Sequence, residues 1–319
     1  MLAFLSRWLR PLPASPVSAA AAPTSAGTPM EGQAGLGEDM ASLRQRFLAV
    51  ALGRPESFSV TQTEVFLATL RAASEGDAFD ALRLPRLPAV VPQLLQALRE
   101  DKAGLAAIAD LAARDPLVAG GIVRMANSAY YGGGEPLHSL SQAVVRLGRD
   151  AVRQVVLRQA LRPIHPAAPG TPVHLAGERL WTHAQRCGVA CGALGHGFDG
   201  MLAGLAGATG ASAALGLLVR GGSELLHADA VHAAFPTAMW RIAARAAQAW
   251  ELPAPVAAAL HEHAVSEARS DLARGLARAE RLAMHFALHC ADEAAPATPL
   301  QDAAEAVAWA ALLRQQPDG

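Results

Sequence analysis

The chain has 319 residues, of which 52% are hydrophobic and 17% are charged, so it can build a folded core and wholesale disorder is excluded. The formal net charge of -1 argues against a general nucleic-acid binder, because such proteins gain affinity by releasing counterions at a basic surface. Three cysteines are too few, and odd in number, for a disulfide framework, so we expect a reducing, cytoplasmic location. Alanine and leucine dominate the composition, which predicts an all-α fold.

The N-terminal part divides into a linker and a helical extension. Residues 1–37 start with a brief apolar stretch, too short for a signal peptide, and then contain almost no large apolar side chain. Such a segment cannot offset the entropy of ordering, so we expect it to be flexible. Residues 38–81 carry two helical stripes separated by a Gly-Arg-Pro breaker; the first contains Leu43, Phe47 and Val50, and the second Val65, Phe66 and Leu70.

Closely spaced helices are predicted from residue 82 onward. Asp115 and Pro116 supply an N-cap and a first-turn proline for one of them. Ser139 opens the next with a capping-box pattern, and Gly148 suits its end. Four arginines nearby indicate a solvated helix face or a docking patch, with nucleic-acid binding as the weaker alternative; they are Arg146, Arg149, Arg153 and Arg158.

The stretch RMANSAYYGGG, residues 124–134, ends the helix that begins at Pro116. Asn127 and Ser128 fall near the helix end, where short polar side chains satisfy free backbone groups, so we expect them to lock the helix to the next segment. Tyr130 and Tyr131 are adjacent and cannot both point inward. One of them is therefore expected at the surface, available to a partner.

The second half of the chain continues the helical series. Residues 195–212 are so rich in Gly and Ala that the pattern gives no firm assignment, whereas residues 213–219 indicate a buried helix. A last helix is predicted over about residues 300–314. No apolar run reaches the roughly 18 residues that a membrane span needs. No alternation of strands and helices and no fixed-period repeat is visible.

Histidine and cysteine spacings do not indicate a metal site. His183, Cys187 and Cys191 are spaced i, i+4, i+8, but the outer two would lie about 12 Å apart along a straight helix, too far for one zinc ion. We therefore interpret the two cysteines as small buried hydrophobes. His285 and His289 lie away from the apolar stripe of their helix, which predicts a solvated pair. His263 continues an apolar face and is expected inside, hydrogen-bonded, while His261 is not.

Three helical segments carry recognisable sequence marks, namely LPRLPAVVPQLLQAL, DPLVAGGIVRMANSAYYG and HSLSQAVVRLGRDAVRQVVL. With their Asp-Pro, Asn-Ser-Ala and Ala-x-x-x-Leu-Gly, they resemble the HDOD family, the HD-related output domain of bacterial signalling proteins. The resemblance covers residues 82–290. It implies an all-α, multi-helix HD-like bundle, here with the helical extension over 38–81 and a C-terminal helix and tail over 291–319.

The same resemblance allows a check for the HD metal site, which uses a His, a His-Asp doublet and a later Asp. His183 stands at the first position, Glu280 replaces the last Asp, and His263 lies on the later His-containing helix. Val219-Arg220 stand where the doublet would be. Valine offers no donor atom and arginine repels a cation, so we expect no metal, no cofactor and no catalytic residue. His183, His263, Glu280 and Arg220 are then expected to line an altered pocket.

The sequence thus predicts a non-catalytic signalling or regulatory module that binds partner proteins or a nucleotide second messenger. The resemblance implies partners among signalling proteins, including those of cyclic-di-GMP pathways. No nucleic acid and no membrane span are expected, and the oligomeric state is left open. The alternative is a metal-dependent HD-type phosphohydrolase or phosphodiesterase whose site is rebuilt from His183, His261, His263, Glu280 and Asp229.

Overall fold

The protein is helical throughout the part that the computed structural model describes, which comprises residues 39–82, 84, 90–99, 104–128, 131, 135–162, 167–291 and 300–314. Within these residues the only β-type pairing is an isolated bridge between Glu56 and Ala228, so the predicted all-α fold is confirmed. The expected linker, residues 1–37, lies outside the described residues. The α-helices are α1 Met40–Leu52, α2 Val60–Glu75, α3 Val90–Arg99, α4 Leu105–Ala112, α5 Pro116–Ala126, α6 Leu140–Ala160, α7 Pro172–Cys191, α8 Gly197–Gly221, α9 Asp229–Ala249, α10 Ala254–Ala264, α11 Asp271–Cys290 and α12 Ala303–Leu313. Short 3-10 helices at Asp77–Leu82 and Ser223–His227 and a π turn at Gly192–His196 lie between them.

Helices α1 and α2 are built into the core of the molecule. Leu43 and Leu70, one from each predicted stripe, are almost completely buried. Helix α1 packs on α7 and α11, while α2 packs mainly on α9. The connection between α1 and α2 is also fixed, because the Glu56 N–H donates to the His227 carbonyl at 2.6 Å and the Glu56 carbonyl accepts from the Asp229 N–H at 3.3 Å. The extension and the later helices therefore share one core.

Helix α6 is interrupted at Gly148, as predicted, where the backbone adopts φ 71° and ψ 170°. After this break, Arg149 donates to the Ala97 carbonyl at 3.3 Å and Arg153 donates to the Leu98 carbonyl at 2.7 Å. These carbonyls lie in the last turn of α3, where free C=O groups and the helix dipole favour a cation. The expected solvated face is thus wrong for these two arginines, because they cap a neighbouring helix.

Helices α7, α8 and α9 form the centre of the fold and approach one another closely because glycines lie at their contacts. A Cβ atom at Gly204 of α8 would collide with the backbone of Gly188 in α7. A Cβ atom at Gly210 would collide with the Met239 carbonyl oxygen of α9. The Gly/Ala-rich segment that gave no firm assignment is therefore a buried helix, in which glycine serves close backbone packing and not chain breaking.

The continuous helical stretch Pro172–Gly221 is long and apolar enough to cross a membrane when judged by length and composition, with a mean hydropathy of 1.7 in the relevant window. This finding differs from the expectation above, because glycine and alanine extend the apolar run. Of that window, 89% is buried inside the protein. The core helix of a soluble protein shows the same property, so the stretch is weak evidence for a membrane span.

The C-terminal helices are joined by a buried ion cluster. Glu305 of α12 is completely buried and accepts from Arg278 Nε at 3.0 Å and from the Arg281 guanidinium. The predicted final helix is confirmed as α12. The expectation of a solvated His285 and His289 pair is wrong for His285, which is buried because α11 is packed by α1, α7, α10 and α12; His289 is exposed.

Candidate functional site

A single buried carboxylate, that of Glu280 in α11, gathers polar partners from three other helices. Trp240 Nε1 of α9 donates to Glu280 Oε1 at 2.8 Å. His263 Nε2 of α10 lies 3.3 Å from Oε2, and the Arg44 guanidinium of α1 donates to the same oxygen at 3.4 Å. His263 is also held edge-on against Trp240, with ring centroids 4.6 Å apart. Both oxygens of the buried carboxylate are therefore satisfied by protein groups.

These partners keep Glu280 charged. Burial by itself raises the pKa of the Glu280 carboxyl, but the interaction with His263, the Arg44 guanidinium and the Trp240 N–H together outweigh burial and hold that pKa well below its ordinary value of 4.5. Glu280 is thus an anion at neutral pH. A buried carboxylate needs compensating partners, and Arg44, which is always protonated, provides a permanent positive charge.

His183 of α7 lies beside this carboxylate in an apolar setting. Its Nε2 is 3.4 Å from Cys187 Sγ, and its ring packs at a tilt of 37° against Phe47 of α1 with centroids 4.2 Å apart. Burial lowers the pKa of His183 from 6.5 to about 4, with Glu280 opposing this effect and Arg186 adding to it. The ring is therefore neutral at pH 7, and its Nδ1 is buried without a hydrogen-bond partner among the described residues. We call Arg44, His183, Trp240, His263 and Glu280 the Glu280 cluster.

Helix α1 closes the space between His183 and Glu280. Both side chains line a cavity of about 10 Å³, together with Arg44 and Phe47. That volume is at the lower limit for one water molecule. The Arg44 side chain is 37% exposed and the Glu280 side chain 4%, so the guanidinium reaches from the surface to the buried carboxylate. The described residues leave no room here for a phosphodiester substrate.

The donor set of the cluster does not fit a catalytic metal ion. The carboxylate oxygens already accept from protein donors, and the His183 Nε2 faces a thiol. Arg220, expected to share the pocket, lies exposed at the end of α8 beside Val219. His261 and Asp229, which a rebuilt site would need, are exposed as well. Among the residues that the structure describes, no group of three His, Cys, Asp or Glu side chains is arranged to hold a metal ion.

Asn127 ties the end of α5 to the segment that leads into α6. Its Nδ2 donates to the Leu137 carbonyl at 2.8 Å, and its Oδ1 accepts from the Leu137 N–H at 2.8 Å. This two-point bond confirms the lock predicted for Asn127. The Ser128 hydroxyl oxygen is buried without a hydrogen-bond partner among the described residues, so Ser128 does not share that role there.

The two tyrosines of the same stretch have different outcomes. Tyr131 is half-buried, packs against the core and lines a second, larger cavity. Tyr130 lies outside the described residues. The expectation that one of the pair is exposed to a partner therefore stays a prediction.

Arg44 and Trp240 are members of the cluster that the sequence did not single out. Trp240 lies in the apolar sequence of α9, where no spacing marks it as a donor to a buried carboxylate. Arg44 follows the buried Leu43 directly, and a cation bordering an apolar stripe was the available signal. Its partner Glu280 is 236 positions away, so the pairing depends on how distant helices pack and cannot be inferred from spacing.

Comparison with known proteins identifies one domain family. A model of the HDOD domain matches residues 84–265, which is more than half of the 319 residues. No curated protein matches the sequence.

Solved structures share the fold at low sequence identity. A "putative metal-dependent phosphohydrolase" from Shewanella amazonensis SB2B is 16% identical, with a TM-score of 0.55 over 81% of this chain and 100% of that chain. An HDOD domain protein of unknown function from Geobacter sulfurreducens is 18% identical, with a TM-score of 0.50 over 81% of this chain and 89% of that one. At such identities the likeness is one of fold, a bundle of helices.

Proposed function

Because this chain belongs to the HDOD family, we propose that it is a non-catalytic signal-transduction or regulatory module that acts by binding other proteins. The observation that carries the proposal is the Arg44 guanidinium on the Glu280 carboxylate. A metal ion needs that carboxylate as a ligand, and a permanent cation already neutralises it. With Val219-Arg220 in place of the doublet, the cluster serves to hold helices together.

The proposed partners are bacterial signalling proteins, including components of a cyclic-di-GMP pathway, and this step relies on the family resemblance. A cytoplasmic location fits the proposal. Among the described residues no disulfide joins Cys187, Cys191 or Cys290, which fits a reducing compartment. The helical stretch Pro172–Gly221, which is long and apolar enough to cross a membrane, is largely buried inside the protein.

A metal-dependent phosphohydrolase is the second candidate. It is favoured by the retained His183 and by Glu280, a carboxylate in place of the last Asp, which together line one cavity. The name of the Shewanella structure also favours it. It is opposed by the size of that cavity, about 10 Å³, since substrate and metal would both require α1 to move away.

Metal content and turnover separate the two candidates. Full-length protein and its His183→Ala variant are incubated with Mn²⁺, Fe²⁺, Ni²⁺ or Zn²⁺, desalted and analysed by plasma mass spectrometry, then assayed with bis(p-nitrophenyl) phosphate and cyclic-di-GMP. We expect far less than one metal ion per chain and no turnover in either protein. Stoichiometric metal that the variant loses, together with hydrolysis by the wild-type protein, would establish the enzyme instead.

The proposed binding to other proteins is tested with purified partners. Full-length tagged protein is used to capture partners from a native lysate, and each captured protein is then purified and titrated against the bait. The proposal predicts at least one saturable, stoichiometric complex. If every captured protein fails to bind after purification, the binding function is wrong even if no metal is found.

A further inference from the structure

A second cavity, of about 660 Å³, lies between the break in α6, the turn after α7 and helix α12. Its volume falls within the range of about 300–1,000 Å³ that is usual for small-molecule sites. It is separate from the Glu280 cluster, because none of that cluster's residues lines it. The lining residues used below are Tyr131, Gly148, Arg149, Arg153, Phe198 and Arg314.

Part of the cavity wall is glycine backbone, and the space stays open because no side chain extends from it. Gly148 and Gly197 both line it and both have positive φ, 71° and 50°. A Cβ atom at either position would meet no neighbouring atom within 4 Å. Positive φ favours glycine, so the fold keeps these two wall positions free of side chains. The shape of the cavity therefore depends on the break at Gly148 in α6 and on the backbone at Gly197, which follows the π turn.

The side chains that do line the cavity combine aromatic rings with positive charge. Tyr131 and Phe198 provide flat apolar surfaces. Arg149, Arg153 and Arg314 outnumber the single acidic lining residue, Asp150. The Arg153 guanidinium lies 5.6 Å from the centroid of the Phe198 ring, which places a cation directly beside an aromatic surface.

Two of these arginines are held in place before any ligand arrives. Arg149 and Arg153 are anchored by hydrogen bonds to the carbonyls of Ala97 and Leu98 at the end of α3. Held cations lose little conformational freedom when an anion binds, which favours affinity. The Arg153 guanidinium also donates to Asp150 Oδ1 at 3.2 Å. Because the Asp150 side chain is 88% exposed, this ion pair is weak, and a phosphate or carboxylate can take the place of Asp150.

We propose that this cavity binds a small planar aromatic anion, namely a ring system of mononucleotide size that carries a phosphate or carboxylate group. The ring lies against Phe198 and Tyr131, and the anionic group faces Arg153 and Arg314. The site joins α6, α7, α8 and α12, so occupancy would stiffen these four helices relative to one another. The proposal is independent of whether the Glu280 cluster is catalytic.

The test uses full-length protein and paired probes that share a ring system and differ in whether they carry the anionic group. Adenosine monophosphate is compared with adenosine, and 1-naphthoate with 1-naphthylmethanol, with inorganic phosphate added alone. Binding is followed by saturation-transfer NMR and by calorimetry. We expect each aromatic anion to bind about tenfold or more tightly than its neutral partner and than phosphate, the size of one charge-assisted contact. The pair with the larger ratio of affinities between the anion and its own neutral partner identifies phosphate or carboxylate as the preferred group.

Two variants locate the binding. Gln154→Trp fills the cavity from the α6 wall, and Arg314→Gln removes a charge at an exposed helix end where folding is not at stake. Their matched controls are Gln248→Trp and Arg71→Gln, at exposed positions elsewhere. Binding should fall about tenfold in both cavity variants and in neither control. The proposal is overturned if the anions bind no better than their neutral partners, or if Arg314→Gln binds as the wild type does.

Discussion

At the scale of single residues, the Glu280 cluster balances a buried carboxylate with protein charge and hydrogen-bond donors. The carboxylate keeps its negative charge in the interior because Arg44, His263 and Trp240 all interact with it. His183 differs from Glu280, because it is buried beside that carboxylate in its neutral form. Protonation of His183 at low pH would place a second charge in a site already balanced, and this should be visible in stability.

The first prediction concerns His183 and pH. In the unfolded chain this histidine takes up a proton near pH 6.5, whereas burial lowers its folded pKa to about 4. Between these values the unfolded state binds more protons, so stability is complete above pH 6.5 and falls as pH drops towards 4, by about 3 kcal/mol. The free energy of unfolding can be measured with urea at intervals of half a pH unit. Its loss at low pH should be smaller in His183→Gln and unchanged in His261→Gln, an exposed control. Equal pH dependence in all three proteins would contradict the prediction.

Glu280 affects the stability of the fold in a separate, lower pH range. Its folded pKa is held below 4.5, so its contribution to stability is present above pH 4.5 and is lost as pH falls further. Since this loss begins where the His183 effect is nearly complete, the two residues can be told apart on one pH titration.

At the scale of helices, sequence patterns predicted the elements whose buried face or first residue can be recognised within their own sequence. The stripe containing Leu43 and Phe47 identified the buried face of α1, and Asp115 identified the start of α5, where its side chain accepts from the Leu117 and Val118 N–H groups. Helix α8 could not be assigned firmly because its glycines resemble breakers until the neighbouring helices are known. His285 was misplaced for a related reason, since its burial depends on helices packed around α11.

The second prediction tests the interpretation of these glycines. Gly210→Ala should destabilise the protein by about 3 kcal/mol, because the new Cβ atom would collide with the Met239 carbonyl oxygen and α8 and α9 would have to separate. Gly120→Ala is the matched control, also within a helix, where the new Cβ atom meets only the flexible end of Arg124. It should be neutral or stabilising by about 0.5–1 kcal/mol. Denaturant unfolding measures both changes, and the same sign for both would refute the packing role.

At the scale of the whole molecule, the part that matches the family is not the part that completes the site. The HDOD match covers residues 84–265, whereas Arg44 and Glu280 lie on either side of it. The family resemblance led to His183, His263 and Glu280 because it aligned helices with known roles. It could not lead to Arg44, because α1 precedes the resemblance and its position depends on tertiary packing alone. Helix α1 thus links the two ends of the chain through one buried carboxylate.

The third prediction follows from that arrangement and concerns removal of α1 and α2. A chain beginning at residue 82 loses the buried side chains of Leu43, Leu52, Leu70 and Phe66 and leaves Glu280 without the Arg44 guanidinium. Each such side chain contributes about 1.5–3 kcal/mol, so their combined loss approaches the total stability of a typical domain, about 5–15 kcal/mol.

We therefore expect the shortened chain to lack cooperative thermal unfolding and to bind a hydrophobic dye, as a state with a disrupted core does. A chain beginning at residue 38 keeps every helix that the structure describes and loses the predicted linker, so it should melt within a few degrees of the full-length protein. Calorimetry and near-ultraviolet circular dichroism on the three chains give the comparison. If the chain from residue 82 melts cooperatively near the full-length temperature, α1 and α2 are accessory, and the Arg44–Glu280 contact does not hold the core together.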